Sequence, residues 1–83
     1  MKASIEISLY PLRASYEAPI LDFIERLNSY DQLNVSTNAM STQIVGDYDI
    51  LMAALTKEIK ISFQEEGAKI LVMKLINLEL HTQ

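Results

Sequence analysis

The chain has no cysteine, one histidine, two glycines and two prolines in 83 residues. Without cysteine, disulfides cannot supplement a small core. Without thiolates, and with the single His81 close to the end of the sequence, a structural zinc site has too few good ligands. Covalent catalysis by a thiolate is excluded, and there is no glycine-rich phosphate loop and no histidine placed within the fold to act as a base. No basic stretch followed by an apolar run opens the sequence, so no signal peptide is expected. No run of about 18 apolar residues is present to span a bilayer. These features point to one cytoplasmic domain that needs no cofactor, no metal and no enzymatic role.

Positive charge is also scarce. Seven Lys and Arg stand against eleven Asp and Glu, a formal charge of −4, and the basic residues are scattered. Such a field repels a phosphate backbone, so nucleic acid is a poor partner. The same sign mildly favours a cationic small molecule. Hydrophobic residues make up 49% and charged residues 22% of the chain, an ordinary globular balance that argues against disorder. At this length a single core is near its lower practical limit, so oligomerisation is an expected source of extra stability.

What is present is periodic. Lys2 to Tyr10 alternates, with Ala3, Ile5, Ile7 and Leu9 on one face and Ser4, Glu6, Ser8 and Tyr10 on the other. This predicts a strand with one buried face, closed by Pro11. Ser15 is the expected cap of a helix whose stripe is Ile20, Phe23, Ile24 and Leu27, with Pro19 in its first turn. The segments 33–37 and 41–45 predict a hairpin turning through Asn38, Ala39 and Met40. Gly46 then breaks the strand, and the Asp47 carboxylate is expected to cap a helix with Leu51, Met52, Leu55, Ile59 and Phe63 as its buried stripe. After a turn at Gly67, residues 69–78 predict a last strand, apolar on both faces and therefore expected to be covered on both.

The order β-α-β-β-α-β is that of a ferredoxin-like α+β sandwich, an antiparallel four-stranded sheet with two helices on one face. In that topology the first and third strands pair centrally and the fourth lies beside the first. The uncovered face then mixes Ser4, Glu6, Ser8 and Tyr10 with Ile70, Val72, Lys74 and Ile76, too apolar for easy solvation. A second copy of the chain is the expected cover.

The stretch "TNAMSTQIVGD" concentrates hydroxyl and amide groups where a purely structural strand would carry β-branched and aromatic residues. Thr37, Asn38, Ser41, Thr42 and Gln43 suit a turn through local bonds to the backbone, and equally suit the edge of a heterocycle. Glu6 has two readings as well, an ion pair with Lys74 on the adjacent strand or a contact to a cationic ring. Tyr10, Tyr16, Tyr30 and Tyr48 are core residues with wet tips or stacking surfaces. His81 is expected at the surface, and Glu65 and Glu66 in a solvated turn.

The segments "ISLYPL", "PILDFIERLNS" and above all "TNAMSTQIVGDYDILMAAL" resemble the small thiamine-binding, YkoF-like family. The most specific part is Thr37, Met40, Ser41 and Thr42 leading to Gly46 and Asp47. The resemblance implies a ferredoxin-like fold, association through the sheets into homodimers or homotetramers, and binding of thiamine or its hydroxymethylpyrimidine part. It also implies that Thr37, Met40, Ser41 and Thr42 contact the ligand. Glu6, Ser8 and Asn38 join them from the residue-level reading. Some relatives carry two such repeats, so a single repeat is expected to find its other half in a second copy. The rival expectation is a self-association or regulatory module with no small-molecule ligand.

Overall fold

The computed structural model describes residues 1–80, and the expectation for His81 lies outside them. Six elements run in the order β1 (Lys2–Pro11), α1 (Glu17–Asn28), β2 (Asn34–Thr37), β3 (Thr42–Asp47), α2 (Tyr48–Gln64) and β4 (Lys69–Ile76). They form one antiparallel sheet of strand order β2-β3-β1-β4. This is the ferredoxin-like α+β fold that the element order predicts.

Alternation in β1 sets the core. Ala3, Ile5, Ile7 and Leu9 point beneath the helices and meet Ile44 of β3, Phe23 and Leu27 of α1, and Leu51, Ala54 and Leu55 of α2. Ile5 stands directly opposite Ile44, which stands opposite Val35, so a row of branched side chains crosses three strands. The other face of β1 carries Ser4, Glu6, Ser8 and Tyr10, as the period of two requires.

Several local expectations are corrected. Neither helix has a side-chain cap: α1 begins after Tyr16 rather than at Ser15, and the Asp47 carboxylate instead lies 3.5 Å from the Met1 amine. The first N–H of α2 is satisfied by Met1, whose carbonyl accepts from Tyr48 N–H at 2.8 Å. Gly46 does not break β3 but continues it opposite Ala3. A Cβ there would lie 2.6 Å from Leu33 Cδ2, so any larger residue requires the Leu33 side chain to move.

The buried stripe of α2 also differs from the apolar pattern. Phe63 is exposed, and Met52 and Ile59 are half-buried, while Glu58 and Ser62 are buried with Leu51, Ala54 and Leu55. Glu58, 4% exposed, receives Arg26 Nε at 2.8 Å on one oxygen and the Tyr30 hydroxyl at 2.6 Å on the other. Arg26 Nη2 also donates to Ser62 Oγ at 2.5 Å and to the Glu58 carbonyl at 3.2 Å. A buried carboxylate is tolerable only with such complete pairing. The network fastens α1 and its exit turn to α2, a contact that apolar periodicity alone does not reveal.

The last strand is not covered on both faces. Among the described residues β4 ends at Ile76 and pairs only with β1, and the helices do not reach over its far half. Residues 77–80 instead turn back across the open face, where Ser4 Oγ donates to the Leu78 carbonyl at 2.7 Å and accepts from Leu80 N–H at 2.9 Å. Ser4, expected on an open face covered by a second copy, is buried within the chain by that crossing.

Two consequences are measurable. Arg26→Leu strands the Glu58 carboxylate and is expected to cost roughly 2 to 3 kcal/mol in urea unfolding, below the roughly 3 to 5 kcal/mol of a fully buried pair because Arg26 is itself partly exposed. The Tyr30 hydroxyl bond to Glu58, with burial, raises the phenol pKa above its ordinary value. A raised folded pKa stabilises the fold below the unfolded pKa and loses that contribution as pH rises through the folded one. As pH rises above the ordinary tyrosine range, stability should therefore fall more steeply in the parent chain than in Tyr30→Phe. Equal slopes in the two chains would dissociate Tyr30 from the network.

Candidate functional site

The two neighbours of β1 are unequal. β4 stands opposite it from Ser4 to Pro11, whereas β3 stands opposite it only from Lys2 to Ile7. Beyond Ile7 the hairpin turn swings away, because Asn38 Oδ1 accepts from Met40 N–H at 2.8 Å and from Ser41 N–H at 3.1 Å, closing an Asx turn. Asn38 N–H in turn donates to the Ser41 carbonyl at 3.1 Å. A central strand sends its backbone groups alternately to one neighbour and the other. Within Ser8 to Tyr10, therefore, at least one N–H and C=O pair points into the space that β3 leaves.

That space is a cleft of about 350 Å³, at the lower end of the range for small-molecule sites. Thr37, Asn38, Met40, Ser41, Thr42 and Ser8 all line it. Opposite them stand Tyr10, Tyr16 and Phe23, with Ile20 and Ile24 of α1 extending the apolar wall. These α1 residues were read only as a core stripe. No periodicity signals that a helix stripe, near its start, faces an opening rather than another element.

The polar groups divide between the two sides of the sheet. Thr42 stands opposite Ile7 and is buried toward the helices, and its Oγ1 lies 3.0 Å from Thr37 Oγ1. One hydroxyl proton serves that pair, which leaves one O–H and several lone pairs for another molecule. Ser41 faces the other way and donates to Glu6 Oε2 at 3.1 Å. Ser8 Oγ is 3.5 Å from the Met40 carbonyl, at the limit of a hydrogen bond. Met40 is 85% exposed, so it lines the cleft only at its mouth.

Glu6 is the one candidate outside the cleft lining. It lies on the open face opposite Lys74, whose Nζ is 3.1 Å from Oε1, so the ion pair expected between these strands is present. The Lys74 hydrogen bond, the Ser41 hydroxyl and the Lys74 charge together hold the Glu6 carboxyl below its usual pKa. Through Ser41 it is joined to the cleft at one remove. Gln43 also turns to the open face, where with Glu6, Val45, Lys74, Ile76 and Leu80 it rims a shallow second hollow of about 330 Å³. Among the described residues no group of acidic or histidine side chains is arranged to hold a metal ion, and no helix is long and apolar enough to cross a membrane.

No family model matches the chain, and no curated protein matches it significantly. Solved structures do. A Streptococcus pneumoniae protein is 26% identical, with a TM-score of 0.86 over 96% of this chain and 90% of its own. A hypothetical protein from Methanocaldococcus jannascii is 28% identical, with a TM-score of 0.79 over 98% and 84%. A Thermotoga maritima protein provisionally assigned to thiamine biosynthesis or salvage is 16% identical, with a TM-score of 0.80 over 90% and 82%. At that last identity the likeness is one of fold. The chain thus shares its fold with these proteins over most of their length.

Proposed function

We propose that the chain binds thiamine or a related hydroxymethylpyrimidine in the cytoplasm, without catalysis, as a homo-oligomer of the thiamine-binding YkoF-like kind. The observation that carries this reading is the cleft itself: the ladder gap beside Ser8 to Tyr10 brings hydroxyl, amide and main-chain groups to face aromatic and aliphatic walls. An aminopyrimidine presents an amino donor beside ring-nitrogen acceptors. An unpaired strand backbone has the same alternation, and the Thr37 and Thr42 hydroxyls lie next to it. Tyr10 or Tyr16 offers a π face to a flat ring or to the thiazolium charge. The assignment of the Thermotoga maritima protein to thiamine metabolism supports the same choice of ligand.

The lining chemistry supports the choice of binding over turnover. Hydroxyls, an amide, a thioether and phenols are weak bases at neutral pH, and the Glu6 carboxylate is held by Lys74 and Ser41 outside the cleft. A second reading has its own observation: the Asn38 carbonyl oxygen is spent on the turn, and Thr37, Thr42 and Ser41 have partners within the chain. That arrangement suits a self-association module in which the hydroxyls only shape the hairpin.

Calorimetry with thiamine and with hydroxymethylpyrimidine separates the two. Saturable binding is expected, and Thr42→Val should weaken it about tenfold, the worth of one hydrogen bond to a buried polar edge, while far-ultraviolet circular dichroism stays unchanged. Absence of heat with either compound at about millimolar concentration, far above the affinity of a built site, would leave the self-association module as the better account. Displacing the Glu6 partner tests the link to the open face. Lys74→Met should shift the Glu6 carboxyl resonance, followed by NMR titration, back up toward an ordinary carboxylate pKa.

A further inference from the structure

Thiamine and hydroxymethylpyrimidine each carry a primary alcohol, and each has a phosphate ester at that oxygen. The charges around the cleft separate the two forms. Among the described residues that line it there is no lysine or arginine. Three cations of the neighbouring segments are engaged elsewhere. Arg13, between Pro11 and Tyr16, donates from Nε to the Ser15 carbonyl at 2.7 Å. Lys69, opposite Pro11, is turned onto the carbonyls of Glu65, Glu66 and Gly67 at 3.2 to 3.4 Å. Lys74 is paired with Glu6.

The full charge that does reach the cleft is negative. The Glu6 carboxylate meets its rim through the Ser41 hydroxyl. The start of α1, beside Tyr16, is positively polarised, but Glu17 puts a carboxylate in that first turn and Pro19 removes one of its N–H groups. The chain as a whole carries a formal −4, which repels anions beyond contact range. A phosphate monoester brings about −1.5 to −2 charges at pH 7. Sites built for such a group pair it with guanidinium, ammonium or a run of free main-chain N–H groups. In this cleft the ester would exchange water for neutral hydroxyls, and a charge left without a counter-charge costs more than an alcohol with one partner. The alcohol needs only a neutral partner, and the Thr37 and Thr42 pair has an O–H to spare.

We infer that the cleft takes the free alcohol and rejects its phosphate ester, so that the form held is the unphosphorylated one. This selectivity rests on the ligand reading above and deepens it. It is set by charge and not by the fit of the ring, which the alcohol and the ester share.

Thiamine and thiamine monophosphate, titrated by calorimetry into the full chain in one buffer, test it. The ester should bind at least about tenfold more weakly, the equivalent of one polar group left unpaired. Met40→Arg adds a guanidinium at the exposed mouth of the cleft, where it can turn onto a phosphate. It should narrow the ratio of the two affinities at least about fivefold, with Met40→Gln as the uncharged control and the circular dichroism spectrum unchanged. An ester that binds the parent chain as tightly as thiamine would overturn the inference and leave the thiamine reading standing. So would a ratio that Met40→Arg does not move, since the rejection would then not be one of charge. Heat from neither compound would remove the thiamine reading, and the inference with it.

Discussion

β1 is longer than its partner β3, and most of what is distinctive here depends on that mismatch. In a ferredoxin-like sheet the first strand is central, so its backbone should be paired on both sides along its length. Here β4 follows it to Pro11 while β3 begins only opposite Ile7. The Asn38 turn fixes where β3 begins, by using its own carbonyl oxygen to hold Met40 and Ser41 out of the strand. The result is a stretch of central strand with the hydrogen-bonding character of an edge, walled by side chains that would otherwise be interior. A cleft arises with no cavity cut into the core.

Two helices cannot cover four strands of this length evenly. α1 and α2 settle over β1 and β3, tied together by the Arg26, Glu58, Tyr30 and Ser62 network, and β4 projects beyond them. Core packing and surface exposure are thus two sides of one choice. Interior carboxylate pairing fastens the helices where they are, and apolar residues on both faces of β4 are left for something outside the chain. At 83 residues, further burial between copies is the ready source of added stability.

Glu6 sits between these regions. It lies on the open face, pairs with Lys74 on β4 and receives Ser41 from the rim of the cleft. Its two readings in the sequence, structural pair and polar contact near a site, describe the same carboxylate through its two oxygens. The hydroxyl cluster is divided in the same manner: Thr37 and Thr42 turn to the helices and Ser41 to the open face, because side chains alternate along a strand that is only just beginning.

Period-two and period-3.6 patterns were sufficient for the element order, the strand order and the inward set of β1, since burial of one face leaves few alternatives. The sequence groups Thr37, Asn38, Met40, Ser41 and Thr42 at one hairpin, and the fold sets them with Ser8 beside a cleft, but hydroxyl and amide groups suit a turn as well as a ligand edge, so their use is not legible from the residues alone. Contacts between residues distant in sequence are not legible either. Glu58 and Ser62 lie off the apolar stripe of α2, and only the fold brings Arg26 and Tyr30 to them. Phe63 looked buried, although α2 ends beyond the sheet's reach. β4 read as an interior strand from composition, since apolarity on both faces looks the same whether the cover comes from its own helices or from another molecule. Ser4 is covered by residues 77–80 of its own chain and not by a second copy. Local periodicity reports which side of an element is apolar, but what stands against that side is decided only when every element has its place.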